Sequence, residues 1–167
     1  DDTAIFFFSD HGDYTGDYGV VEKAQNSFED CLTRVPLIIK PPQAVPVKSG
    51  IRDALVELID FPATVYALSG IEPDYSHFGK SLLPLITGET DQHRDAVFCE
   101  GGRLHSESHA MEREANQQEG ALYYPRLRLQ QSDGSEHTKA TMCRTADYKY
   151  VRRLYENDEL YDLHADP

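Results

Sequence analysis

The run Ile5-Phe6-Phe7-Phe8 stops without transition at Ser9-Asp10-His11-Gly12. An apolar run with no polar alternation reads as a strand covered on both faces, of the kind found inside a parallel sheet. We place that strand over residues 3–8. A second run, "RVPLIIKPP" (34–42), reads the same way and is closed by Pro41 and Pro42. Between them lie a Gly/Asp/Tyr-rich loop (9–19) and "VEKAQNSFEDCLTR" (21–34), a short helix or an irregular crossover. Strand, crossover and strand suggest an α/β layer.

Further along, 42–50 is linker, and "IRDALVELID" is ambiguous between strand and helix. "DFPATVYALSGIEP" predicts a helix that Asp60 can cap, with Pro62 in its first turn and Gly70 as its stop. "GKSLLPLITGE" (79–89) predicts a short helical turn with an exit glycine. "DAVFCEG" is a strand. Residues 101–137 are polar, rich in His and Glu and weakly periodic, as in an insertion or long loop; within them "YYPRLRLQ" reads as a strand or an exposed patch. His105 and His109 are spaced to share one face if that stretch is helical. The closing residues alternate with period two. They predict a hairpin turning near Ala146-Asp147, a further short strand at "ELYDL", and a small antiparallel sheet packed by Tyr148 and Tyr150.

Charge narrows the function classes. The net charge of -13 opposes nucleic acid, which needs a basic face to replace counterions, and opposes an anionic membrane surface. No stretch approaches the roughly 18 apolar residues of a membrane span. The three cysteines, Cys31, Cys99 and Cys143, form no CxxC pair and read as buried free thiols. The opening "DDTAIFFF" has no initiator Met and reads as a cut end, so the lack of a signal peptide says nothing about secretion.

An acidic chain can still bind an anion at a site with its own cation. Asp10 and His11 stand just beyond the carboxyl end of a strand, where open α/β sheets bind ligands. A carboxylate and a neutral ring nitrogen both suit a divalent metal, and Gly12 lets the backbone turn past it. Lys23, a compact charge suited to a tetrahedral oxyanion, follows Gly16 and Gly19 in the same loop.

The stretch "SDHGDYTGDYGVVEKAQNSFEDCLTRVPLIIKPP" resembles the second signature region of type I, formylglycine-dependent sulfatases in the alkaline-phosphatase superfamily. "VELIDFPATVYALSGIEPDYSHFGKSLLPLITGE", "RDAVFCEG" and "RTADYKYVRRLYENDELYDLHADP" resemble later motifs of that family in the same order. The resemblance covers the chain except 101–137.

It implies the C-terminal part of a sulfatase-type α/β fold. A mixed or parallel sheet with helices would span 1–91. A small antiparallel-sheet subdomain would follow over 92–167, carrying the insertion.

The resemblance also implies roles. Asp10 and His11 fall on the paired metal ligands, usually for calcium, where many members have Asn in place of His11. Lys23 falls on the lysine that contacts the sulfate. Tyr18 stands where the motif often has His. Arg103 and His105, in the subdomain loops, are candidate sugar contacts.

The family's C/S-x-P-S/A-R motif, source of the formylglycine nucleophile, is absent from the sequence; that group is expected in an N-terminal part outside this chain. The reading is therefore part of a sulfate-ester hydrolase acting on a sulfated small molecule or sugar, inactive by itself. Phosphatase or phosphonate monoester hydrolase chemistry, or non-catalytic anion binding, are the alternatives. Unpaired sheet edges make self-association an expectation. Members are mostly periplasmic, secreted or lysosomal.

Overall fold

A computed structural model describes residues 2–19, 21–110, 118–121, 123–131 and 137–165. It contains strands β1 (Ile5–Phe8), β2 (Leu37–Lys40), β3 (Val97–Gly101), β4 (Ala140–Arg144), β5 (Tyr148–Arg153) and β6 (Glu159–Asp162). Its α-helices are α1 (Asp30–Thr33), α2 (Asp60–Ser69), α3 (Leu83–Thr87) and α4 (Tyr124–Gln131). The chain forms two compact units. The first is Asp1–Gly12 with Arg34–Val97, and the second is Asp13–Thr33 with Phe98–Pro167.

In the first unit β1 and β2 pair antiparallel, with Phe6 opposite Ile39 and Phe7 opposite Ile38. Side chains alternate across the pair. Phe6 and Phe8 turn to Phe61 of α2, with ring centroids 4.9 and 5.0 Å away. Ile5, Phe7 and Ile38 keep 54%, 61% and 63% of their surface exposed. This corrects the expectation of parallel strands buried on both faces. A parallel return needs a crossover laid on the sheet, and the connecting segment Asp13–Thr33 folds with the second unit instead. An antiparallel pair can leave one face to solvent.

Helix α2 starts and stops where the sequence places it, with Gly70 in the left-handed region at φ 66° and its N–H on the Tyr66 carbonyl. Gly88 closes α3 in the same way at φ 76°. Asp60 does not cap. Ile59 holds the cap position without a side-chain hydrogen bond, and the Asp60 carboxylate is engaged by the nearby Glu57 amide and by Lys80, His93 and Arg94, distant in sequence. The ambiguous stretch before α2 is neither helix nor strand, apart from one bridge between Leu55 and Arg94.

The second unit is a four-stranded sheet in the order β3-β4-β5-β6, with β4–β5 and β5–β6 antiparallel. Its core is Phe28, Ala140, Met142 and Val151, flanked by Cys99 and Tyr161. Phe28 comes from Asp13–Thr33, so this segment supplies a core residue to its own unit. The hairpin turns at the expected place, but Tyr148 and Tyr150 face outward while Lys149 and Val151 are buried. The period was legible, whereas the face depends on which strand neighbours are apolar. Lys149 is accommodated with its Nζ 3.5 Å from the Phe28 carbonyl and 4.9 Å from the centre of the Tyr161 ring.

Two expectations inside 101–137 also change. "YYPRLRLQ" lies largely in helix α4 with Leu127 buried. His105 and His109 share no α-helical face, since only a short 3-10 turn, Ser108–Ala110, forms there. The remaining residues of that insertion lie partly outside the described residues. The three cysteines form no disulfide and are half-buried. Among the described residues no helix is long and apolar enough to cross a membrane.

Candidate metal and anion site

The end of β1 folds back on itself. The Ser9 hydroxyl donates to the His11 carbonyl at 2.6 Å, and the His11 N–H donates to Asp10 Oδ1 at 3.0 Å. His11 Nδ1 lies 2.7 Å from the Gly12 carbonyl. A carbonyl only accepts, so that contact assigns the Nδ1 proton, and a neutral ring then carries its lone pair on Nε2. This is the arrangement that orients a metal-binding histidine.

His11 Nε2 and Asp10 Oδ2 are 3.9 Å apart, and the Asp10 side chain is 86% exposed. Two donor atoms at that spacing can grip one cation with bonds of about 2.3–2.6 Å. The pair therefore fits a divalent metal as two of its ligands. Calcium takes about six to eight, and no group of three or more His, Cys, Asp or Glu among the described residues is arranged to hold a metal ion.

Tyr18 and Lys23 belong to the second unit. Their segment is bent by positive φ at three non-glycine residues, Thr15 (48°), Tyr18 (55°) and Glu22 (68°), and at Gly16 and Gly19. Each non-glycine of this kind costs about 1–3 kcal/mol and recurs at functional sites. Tyr14 anchors the loop: it is buried, bonded to the Ser27 hydroxyl, and meets the exposed Tyr18 ring edge to face at 6.0 Å. Glu29 above all raises the Tyr18 hydroxyl pKa, with burial and Cys31 adding to it. Lys23 is half-buried. Burial, with Asp17 and Glu29, raises the Cys31 thiol pKa, which opposes the thiolate form that nucleophilic cysteines need.

Arg103 is buried, its backbone bridged to Thr138. His105 is exposed, with its ring 4.2 Å from that of Tyr155.

Sequence reasoning missed the most heavily bonded carboxylate, Asp60, which has no exposed surface. Oδ1 accepts from the Lys80 N–H at 2.8 Å and from the Arg94 guanidinium; Oδ2 accepts from the Glu57 N–H and from Arg94 Nε, both at 3.0 Å. His93 Nε2 lies 3.1 Å from the same Oδ2. Burial by itself would raise the Asp60 pKa. The Arg94 hydrogen bond and the Glu57 and Lys80 amides outweigh it and hold the carboxyl down at about 2. The signal, "HRD" at 93–95, sits too far from Asp60 in sequence to be paired with it by local pattern.

The family model for the C-terminal region of N-sulphoglucosamine sulphohydrolase matches residues 16–113. The chain belongs to this sulfatase family. The matched segment includes Tyr18 and Lys23; Asp10 and His11 precede it.

An N-acetylglucosamine-6-O-sulfatase of Bacteroides thetaiotaomicron is 26% identical over 100% of this chain and 25% of its own length. A choline-sulfatase of Rhizobium meliloti is 30% identical over 100% of this chain and 26% of its own length. The crystal structure of a phosphonate monoester hydrolase from Agrobacterium radiobacter aligns with a TM-score of 0.71 at 26% identity, covering 99% of this chain and 30% of that one. The chain spans about a quarter of the length of these curated relatives.

Proposed function

We infer that this chain is the part of a sulfate-ester hydrolase that supplies two metal ligands and one sulfate contact. The observation that carries the reading is the Asp10–His11 donor pair, 3.9 Å apart at the end of β1, in a chain of the sulfatase family.

Asp10 and His11 would hold a divalent cation, calcium in this reading. When bound, the metal supplies Lewis-acid charge and a template for the sulfate. Asp10 contributes the negative charge that retains it, and Ser9 and Gly12 fix the turn that aims both ligands. Lys23 would place its ammonium against the sulfuryl oxygens and stabilise the charge that develops there. Tyr18, Arg103 and His105 are candidate contacts to the rest of the substrate. The sequence carries no formylglycine motif, so the chain alone does not turn over.

A sulfated sugar is the substrate class we favour, supported by the name of the Bacteroides relative; that of the Rhizobium relative points to a sulfated alcohol without a sugar. Phosphonate-ester hydrolysis is the second reading, favoured by the Agrobacterium structure. Self-association through the open edges of β1 and β2 belongs to the same reading.

Calorimetric titration with calcium tests the metal site. Saturable binding by this chain, abolished in Asp10→Ala, supports a preorganised pair. Binding that survives Asp10→Ala would remove Asp10 from the site. In the full-length enzyme, comparing aryl sulfate with aryl phosphonate turnover separates the two reactions.

A further inference from the structure

A cleft in the first unit plays no part in the sulfatase reading. One wall is the start of α2, where Ile59, Pro62 and Tyr66 follow one another at spacings that place them on one face. The other wall is the loop carrying Tyr75, His77 and Phe78. Together they enclose about 230 Å³.

The loop is held in place by named contacts. A side chain at Gly79 would put its Cβ 2.2 Å from the Ile59 carbonyl oxygen, so the approach requires glycine. The Lys80 N–H donates to the buried Asp60, and Arg94 donates to the Phe78 carbonyl at 2.9 Å. The Asp60–Arg94 pair thus fixes both walls, and the cleft is preformed.

Its chemistry is narrow. Tyr66, Tyr75 and His77 form a three-ring cluster with centroids 6.5, 6.2 and 5.9 Å apart. The two tyrosine hydroxyls bond each other at 2.8 Å. Among the described residues no lysine or arginine lines the cleft, which disfavours an anion. Asp74, exposed and next to Tyr75 in the chain, places a carboxylate on the same loop. Aromatic faces with a carboxylate on the same loop attract a cation with an apolar shell.

We propose that this cleft binds a small organic cation of the alkylammonium class against the Tyr66–Tyr75–His77 cluster, with Phe78 as the outer wall.

The test is an NMR titration of the chain with tetramethylammonium at about pH 8, where imidazole is ordinarily neutral. tert-Butanol, similar in size and uncharged, is the control. An exposed cation–π contact is worth about 0.5–1 kcal/mol, so tetramethylammonium should bind about 2–5-fold more tightly than tert-butanol. Amide shifts should be confined to 59–79.

Phe78 is 88% exposed, so Phe78→Ala tests the wall without threatening the fold and should weaken both ligands. Asp74→Asn should weaken the cation alone. Equal affinity for the two ligands, shifts spread over the chain, or an unchanged Phe78→Ala would each overturn the proposal.

Discussion

Two carboxylates in this chain behave oppositely because their surroundings differ. Asp60 has its oxygens filled by Arg94, His93 and two backbone amides. Breaking a buried pair from one side leaves an uncompensated charge and costs about 3–5 kcal/mol. Asp60→Ala should therefore lower the stability of the first unit by that amount in urea unfolding.

The pH dependence has a definite sign. The folded pKa of about 2 lies below the ordinary value, so folding favours the ionised form. Its contribution is present in full above about pH 4 and is lost as pH falls toward 2. In Asp60→Asn that segment of the acid-unfolding curve should flatten; an unchanged curve would assign the acid sensitivity elsewhere.

Asp10 is solvent-exposed and available for an ion. His11 beside it offers nitrogen, while calcium prefers oxygen donors. His11→Asn should therefore keep calcium binding or tighten it in the same calorimetric titration, and a loss of binding would show that the imidazole itself is needed.

Elements are fixed where the determining residues are close in sequence. Helix α2 was legible because Pro62 and Gly70 are local signals, and the β4–β5 hairpin because period two persists on both sides of its turn. The partner of each strand was not. The apolar run of β1 fits a parallel interior or a half-exposed antiparallel pair equally well, and only the path of Asp13–Thr33 decides. The functional candidates divide similarly. Asp10 and His11 are proposed from residue type at a strand end and Lys23 from the family resemblance, whereas the Asp60 cluster depends on Arg94, which no local period links to it.

Gly79 is a further case of the same kind, since nothing in "SHFGKS" announces that it touches Ile59. A Cβ there would sit 2.2 Å from the Ile59 carbonyl and 3.1 Å from the Ala63 methyl. Forcing extra volume into packed structure costs about 1–3 kcal/mol. Gly79→Ala should lower the melting temperature accordingly and widen the aromatic cleft, read as weaker tetramethylammonium binding.

At the scale of the whole molecule, charge and exposed apolar surface act against each other. Net charge of -13 keeps copies apart at long range. The first unit nevertheless presents Ile5, Phe7 and Ile38 more than half exposed on one sheet face, and among the described residues β1 and β2 form a two-stranded sheet, so each has an edge with no strand beside it there. Repulsion between exposed charges is screened beyond about 10 Å at 0.1 M salt, whereas apolar contact is not weakened by salt. Association should therefore rise with ionic strength.

Multi-angle light scattering of this chain should give a monomer mass in dilute buffer and a dimer or larger mass at high salt. Ile38→Lys places a charge on the outward face opposite Phe7, where edge-protecting charges act in natural sheets. It should hold the chain monomeric at both salt levels. A monomer throughout in the unsubstituted chain would show that the face is too small to drive pairing. A dimer that persists in Ile38→Lys would move the contact to another surface.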